Sequence, residues 1–278
     1  MNKTTPTLIF IHFLLLVGCA RFDNDLFDAI ARNDIGSVDH LLKQGIDINR
    51  KDAEGRTPLF MAAYLGEKDI VHLLIKNGAH SEDKNKFGET ALSIVATKGH
   101  TDVARILIEN KADVNAVNID SVTPLMYSAT YGFHAIVSLL LEHQAMVNAV
   151  SKEKLTPLVY ACLNNHVKEA SLLIANKADV NFNTQDHETI LMMLCTKGYA
   201  DLAKLLIDNG ALVNAQTTYK ATALMAACRN RHADVVKVLI AANADLTIKD
   251  ENGETALDHA KRTGDAEVVE LLQKAGAK

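Results

Sequence analysis

Three cysteines, Cys162, Cys195 and Cys228, follow one another at a constant interval of 33 residues. In an exported protein, thiols could form disulfides, carry redox chemistry or bind a metal. The same interval runs through most of the chain, and it places these thiols in a series of small residues that would pack between helices. Packed helices lie about 8–10 Å apart, whereas cysteines whose Cα atoms are more than about 7 Å apart cannot be bridged. The spacing therefore favours buried structural thiols.

Eleven histidines raise the question of a metal site. The sequence contains no H-E-x-x-H and no paired C-x-x-C motif, which are the spacings typical of zinc sites. His100, His166 and His232 share one position of the 33-residue interval. We expect them to hydrogen-bond the backbone of a turn, and the sequence predicts no metal and no other cofactor.

The motifs of common catalytic sites are also missing from the sequence. It has no G-x-S-x-G, no phosphate-binding G-x-x-x-x-G-K-[ST] and no G-x-G-x-x-G after a strand. Acidic residues near the start of predicted helices suit the helix dipole rather than catalysis. The sequence therefore predicts no catalytic residues and no small-molecule substrate, and a pair of carboxylates on one face stays the enzymatic alternative.

The composition argues against a nucleic-acid partner. The net charge is −5, and no run of five or more like charges occurs. Binding to a phosphate backbone usually needs a basic stripe. Apolar residues make up 48% of the chain, which is ample for a core.

Residues 1–18 are predicted to be a signal peptide rather than part of the fold. Lys3 supplies a positive start, and an apolar run extends from Leu8 to Val17, broken only by His12. The run is shorter than the roughly 20 residues that a helix needs to span a bilayer. Its length and the small residues that follow are typical of a secretory signal.

The end of this run, Leu16-Val17-Gly18-Cys19, resembles the lipobox of bacterial lipoproteins. In that family the chain is cut before the cysteine, which then becomes acylated, so the resemblance implies a lipid on Cys19 and a short tether at 19–21. Several acyl chains on one residue give stable membrane attachment. Because Ala20 rather than Asp follows, the resemblance implies the outer membrane, facing the periplasm. The alternatives are an ordinary signal peptide or an uncleaved anchor, with Cys19 incidental.

A period of 33 residues organises the rest of the chain. A threonine recurs at this interval, and a leucine lies two positions after each threonine. Such constant spacing is the signature of a repeat protein. The threonines are Thr57, Thr90, Thr123, Thr156, Thr189, Thr222 and Thr255.

Each unit predicts two short helices followed by a polar loop. The threonine is a suitable N-cap, and proline after it, as at Pro58, suits the first helical position. Gly66 would end this helix in a left-handed conformation. A second helix, as at 69–76, carries its apolar residues on one face. The predicted helices are therefore Pro58 to Leu65 and Asp69 to Lys76 in the unit of Thr57.

This unit is similar to the ankyrin repeat. The stretches Thr57-Pro58-Leu59-Phe60-Met61-Ala62-Ala63 and Ala112-Asp113-Val114-Asn115-Ala116 carry the resemblance. It covers residues 22–278 and implies an all-α solenoid of about eight units, in which a concave face of finger loops and first helices binds partner proteins. The units lie near 22–51, 52–84, 85–117, 118–150, 151–183, 184–216, 217–249 and 250–278.

Several departures from the family pattern predict local differences in structure. The finger-turn glycine is replaced by Ser121, Lys154, His187 and Lys220, which places regular turns in the middle fingers in doubt. Ile190 replaces the proline and Leu194 a small residue in one unit, which we expect to be the least regular. In the last unit Asp258, His259 and Lys261 suit a cap with a solvated outer face.

The finger loops carry the candidate partner-binding residues. Phe87, Val122 and Leu155 are apolar residues on successive polar fingers, which suggests contact with a partner. Alternatively, these side chains fold back onto their own repeats. The remaining candidates are Tyr64, Tyr131, Tyr219 and Arg229.

These features together predict a non-catalytic protein-binding scaffold in the bacterial cell envelope, attached to the membrane through Cys19. It would bind another protein and no nucleic acid. Two specific versions are an immunity protein that masks a toxin and a protector of a periplasmic enzyme. A structural lipoprotein without a specific partner and a carboxylate enzyme are the alternatives from other classes.

Overall fold

The computed structural model describes residues 26–278, which form eight pairs of α-helices. The predicted signal peptide 1–18, Cys19, the tether 19–21 and the start of the first unit at 22–25 lie outside the described residues. The first helices of the pairs are α1 (Leu26–Ala31), α3 (Pro58–Leu65), α5 (Ala91–Lys98), α7 (Pro124–Tyr131), α9 (Pro157–Leu163), α11 (Ile190–Lys197), α13 (Ala223–Arg229) and α15 (Ala256–Thr263). The second helices are α2 (Ile35–Lys43), α4 (Lys68–Lys76), α6 (Thr101–Glu109), α8 (His134–Glu142), α10 (Val167–Ala175), α12 (Ala200–Asp208), α14 (Ala233–Ala241) and α16 (Ala266–Lys274).

The recurring threonines cap the first helices, as predicted. In each first helix from α3 to α15, the Oγ1 atom of the capping threonine accepts the backbone N–H three residues on, at 3.2–3.4 Å. Gly66 ends α3 at a φ of +80°. Helix α3 has the predicted bounds, whereas α4 begins at Lys68, one residue earlier than predicted.

The core runs continuously between the two layers of helices. First helices pack on neighbouring first helices, second helices on neighbouring second helices, and each pair packs internally. The leucine two positions after each threonine is at most 2% exposed, so the period of the sequence is the period of the core. These leucines are Leu59, Leu92, Leu125, Leu158, Leu191, Leu224 and Leu257.

Asparagine side chains tie neighbouring repeats together. The Oδ1 atom of Asn148 accepts the backbone N–H of Asp179 at 2.9 Å, while its Nδ2 donates to the carbonyl of Lys177 at 3.1 Å. Asn181 forms the same pair of bonds with Leu212 and Gly210. Each asparagine therefore fixes the loop of the next repeat by two bonds to its backbone.

The middle finger turns are regular, so the doubt about them was wrong. Ser121, Lys154, His187 and Lys220 adopt the left-handed conformation of the missing glycines, with φ between +57° and +61°. The turn hydrogen bonds persist, as from Lys154 N–H to the Ser151 carbonyl at 2.9 Å. The pairing within the fingers outweighs the backbone strain of a side chain at this position.

The repeat of Thr189, which we expect to be the least regular, has regular helices and caps but a looser junction with the repeat before it. Helices α9 and α11 pack less closely than the other neighbouring first helices. Leu194 is fully buried in α11, at a position where other repeats have smaller residues such as Ala161 and Ala227. We call this junction of α9 and α11 the seam.

The prediction of a fully solvated outer face in the last unit was wrong for one residue, His259. Asp258 and Lys261 are exposed as expected, but His259 is only 6% exposed. Its Nε2 atom lies 3.0 Å from Asp250 Oδ2, so the side chain joins the last finger to α15 instead of facing solvent.

Candidate functional site

Each finger is a tight hairpin closed by a polar residue five positions before the capping threonine. At Asn118 the backbone N–H donates to the carbonyl of Val122 at 3.2 Å. The Asn118 Oδ1 atom accepts the N–H groups of Asp120 and Val122 at 2.8 and 2.9 Å. The finger is therefore fixed by its own side chain.

Two buried tyrosines tie fingers to first helices. The Tyr127 hydroxyl accepts from Asn118 Nδ2 at 2.9 Å and donates to Glu89 Oε1 of the preceding finger at 3.1 Å. The Tyr160 hydroxyl donates to Ser151 Oγ at 3.2 Å. Burial and the Glu89 carboxylate raise the pKa of Tyr127, which keeps this donor protonated. Neither tyrosine was identified from the sequence, although each lies nine residues after the polar finger residue.

Backbone hydrogen bonds join successive fingers into a ladder. The Ile119 N–H donates to the Phe87 carbonyl at 3.0 Å, and the Lys152 N–H donates to the Asp120 carbonyl at 2.9 Å. The Thr218 N–H donates in the same way to the Asp186 carbonyl at 3.1 Å. Among the described residues no such bond joins Gln185 to the preceding finger, so the ladder is interrupted at the seam.

The finger residues predicted to contact a partner occupy two different environments. Phe87 and Tyr219 lie at finger tips and are 48% and 53% exposed. Val122 and Leu155 are half-buried and pack against the core, so the alternative that they fold back describes their position. Their contact with a partner remains a prediction.

The three candidates at the ends of first helices lie where predicted. Tyr131 is 38% exposed and stacks on Phe133, with ring centroids 6.0 Å apart. Tyr64 is half-buried, and Lys98 Nζ lies 4.5 Å from its ring centroid. Arg229 is exposed at the end of α13. We call the surface formed by the first helices and the finger residues that pack on them the inner face.

Exposed apolar residues also occur at positions that the sequence patterns did not single out. Ile119 is 52%, Val150 44% and Val117 39% exposed. Val117 precedes the finger residue Asn118, and Ile119 begins the turn that follows it. Their position on either side of the polar residue that closes the finger is the sequence signal that could have identified them.

The three cysteines are buried and unbridged, which confirms their structural assignment. Burial raises the pKa of the Cys162 and Cys228 thiols to about 12 and also raises that of Cys195. Thiols that stay protonated are poor nucleophiles and poor metal ligands.

The histidines in the turns between helices form the predicted hydrogen bonds to the backbone. His100, His166 and His232 place Nε2 within 3.0–3.2 Å of a carbonyl in the preceding repeat. His166 lies against Gly132, where an added Cβ would come within 2.7 Å of the imidazole ring. Glycine is needed there both for its φ of +72° and for this close approach.

One group of charged residues in the last unit could be mistaken for a metal site. Asp250, Glu254 and His259 place potential ligand atoms within 4.8 Å of one another. However, the two ring nitrogens of His259 face different carboxylates, and Arg262 forms an ion pair with Glu254. A guanidinium at the ligand oxygen opposes a bound cation, so we interpret the group as an ion-pair network that closes the repeat array.

The family of the protein follows from comparison with known families. The family model of ankyrin repeats, which describes three copies, matches residues 26–118, 113–186, 170–250 and 191–278. The chain therefore belongs to the ankyrin-repeat family. None of the curated proteins compared with it matches its sequence.

Ankyrin repeats are protein–protein interaction modules and are generally non-catalytic, so the chain is built as a binding scaffold. None of the helices between residues 26 and 278 is long and apolar enough to cross a membrane.

Proposed function

We propose that this protein is a non-catalytic binding scaffold of the bacterial cell envelope, which holds a partner protein on its inner face. The observation that carries the proposal is an exposed aromatic residue, Tyr131, on a face whose fingers are fixed by hydrogen bonds through Asn118 and Tyr127. A preorganised surface loses little entropy on binding, and aromatic side chains dominate the energy of many interfaces.

The envelope location rests on the N-terminal sequence. The apolar run and Leu16-Val17-Gly18-Cys19 support export and lipidation of Cys19, and Ala20 supports the outer membrane facing the periplasm. Membrane fractionation of the wild type and of Cys19→Ser tests this point. The variant should leave the membrane fraction, whereas unchanged fractionation would exclude the lipid anchor.

The partner is tested by crosslinked affinity capture of the tagged chain from its own envelope, followed by mass spectrometry. One stoichiometric protein should be captured by the wild type and lost from Tyr131→Asp and Arg229→Glu. Ile35→Asp is the matched control, because Ile35 is 45% exposed on α2, away from the inner face. A partner that both inner-face variants retain would place the binding surface elsewhere.

Two specific roles suit a scaffold that is exported and anchored. An immunity protein would bind an incoming toxin, and a protector would bind a periplasmic enzyme. Deleting the gene should sensitise cells to the toxin in the first role and lower the activity of the captured enzyme in the second. If capture from cells grown with and without competing strains yields no specific protein, the structural lipoprotein becomes the better account.

A further inference from the structure

The seam between α9 and α11 has fewer hydrogen bonds between its two repeats than the junctions around it. At five other junctions a finger donates one backbone N–H to a carbonyl of the finger before it, at 2.9–3.1 Å. The five donors are Lys86, Ile119, Lys152, Thr218 and Glu251. Gln185 holds the equivalent position at the seam, and its N–H makes no such bond within the part of the chain that the structure describes. The ladder of fingers is therefore divided there.

The turn between the two helices of a repeat shows the same loss at the seam. At the two neighbouring junctions, His166 and His232 place Nε2 at 3.0 and 3.1 Å from a carbonyl of the preceding first helix. Tyr199 occupies the histidine position at the seam, and Asn165 occupies the position of the glycine that faces the histidine. Among residues 26–278 no hydrogen bond joins the Tyr199 side chain to α9. The seam thus lacks a second contact that its neighbours have.

The second helices remain joined across the seam. Helix α10 packs on α12 as closely as α2 packs on α4, although α9 and α11 pack loosely. The Asn181 Oδ1 atom accepts the Leu212 N–H at 2.9 Å, and its Nδ2 donates to the Gly210 carbonyl at 3.1 Å. Asn148 forms bonds of the same lengths at the preceding junction. The seam is therefore loose in the layer of fingers and first helices and intact in the layer of second helices.

We propose that the seam is a hinge between two blocks of the array, one from α1 to α10 and the other from α11 to α16. The contact of α10 with α12 and the two bonds of Asn181 form its pivot. The fingers and first helices separate and approach on the opposite side. Bending there breaks few contacts, and motion of low free-energy cost occurs where local packing and hydrogen bonding are weakest.

The hinge changes the shape of the inner face. Tyr131 at the end of α7 and Arg229 at the end of α13 lie on opposite sides of the seam. A rotation of one block against the other changes the distance between these two residues and leaves each block unchanged. The motion itself needs no partner, whereas its use in fitting a partner rests on the proposed function of the inner face. A partner that contacts both blocks would select one angle.

Distances between two spin labels, measured on the full chain by double electron–electron resonance, test the hinge. Asp120→Cys with Tyr219→Cys places labels at finger tips on both sides of the seam, three repeats or about 30 Å apart. Glu142→Cys with Ala241→Cys spans the same three repeats at the ends of second helices, on the side of the pivot.

The matched control is Glu54→Cys with Glu153→Cys, which places labels at finger tips three repeats apart on one side of the seam. All pairs are introduced together with Cys19→Ser. The buried native thiols should stay unlabelled, which the chain without introduced cysteines checks.

The finger-side pair across the seam should give a distance distribution at least twice as broad as that of the control pair. The pair at the second helices should be as narrow as the control. Asn165→Gly with Tyr199→His should narrow the finger-side distribution, because Gly132 and His166 form this contact at the neighbouring junction. If that double variant does not fold, Asn181→Ala replaces it and should broaden the distribution of the pair at the second helices.

Equally narrow distributions for the three pairs would overturn the proposal. So would equally broad ones, because an array that flexes at every junction has no hinge. Failure of both Asn165→Gly with Tyr199→His and Asn181→Ala to change their distributions would overturn the assigned pivot and contacts. None of these measurements includes a partner, so a chain without the hinge can still bind one at the inner face, and a hinged chain can fail to bind.

Discussion

The Glu169 carboxylate lies 3.4 Å from Nδ1 of His134. Six other repeats have an aliphatic residue at the helix position of Glu169. Glu169 is only 5% exposed, whereas His134 is half-exposed. The equivalent residues are at most 1% exposed and are Ile70, Val103, Ile136, Leu202, Val235 and Val268. Burial removes the hydration of the Glu169 carboxylate. Contact with a half-exposed imidazole does not fully offset this loss of free energy.

We therefore expect Glu169→Leu to raise the free energy of unfolding by about 1–3 kcal/mol, because it restores the aliphatic position. Urea denaturation of the wild type and the variant measures the difference. His134→Ala should lower stability in the wild type, since it removes the imidazole that contacts the Glu169 carboxylate, and should have little effect on the Glu169→Leu background. A loss of stability in Glu169→Leu would mean that the ion pair holds the two repeats together.

The repeat architecture was predictable because each signal is local. Thr57, Pro58 and Gly66 act on their own helix, so a fixed spacing identifies them. The surface was less predictable. Val122 is half-buried because it packs against the core, whereas Ile119 is exposed in the turn, and the burial of His259 depends on Asp250. Such contacts belong to the folded repeat, and a linear pattern does not contain them.

The left-handed backbone conformation of Lys154, at the tip of its finger, is expected to lower the free energy of unfolding. Its φ of +61° costs a residue with a Cβ atom about 1 kcal/mol more than it costs glycine. Lys154→Gly should therefore raise the free energy of unfolding by about 0.5–1 kcal/mol. Gly253→Ala is the converse control, since nothing lies within 4 Å of the added Cβ and only its φ of +76° opposes the substitution. Equal stability of Lys154→Gly and the wild type in urea would show that the finger relaxes around this residue.

Because the ladder of backbone hydrogen bonds is interrupted at the seam, we expect neighbouring fingers to differ in hydrogen exchange. The N–H groups of Lys152 and Thr218 are bonded to the preceding finger, whereas that of Gln185 has no such bond in the described chain. We expect the Gln185 amide to exchange at least tenfold faster than the other two, because local opening there breaks no bond between fingers. Exchange measured by NMR at neutral pH tests this. Equal protection of the three amides would mean that the array opens as one body.

The buried thiols predict a loss of stability at alkaline pH. A thiol in water ordinarily has a pKa of 9.0, and burial raises that of Cys162 and of Cys228 to about 12. Above pH 9 the unfolded chain releases these protons, whereas the folded chain retains them. Their contribution is therefore fully present below about pH 9 and is lost progressively between about pH 9 and pH 12.

A variant with all three cysteines changed to alanine separates this effect from other alkaline titrations. Alanine occupies the same position at Ala63, Ala96 and Ala129, so the variant should fold. The free energy of unfolding of the wild type should fall more steeply than that of the variant between pH 8.5 and pH 10.5, a window chosen because it spans the unfolded pKa of about 8.5–9. Parallel curves would show that the thiols titrate alike in both states, and rapid labelling of the native thiols at pH 8 would contradict their burial.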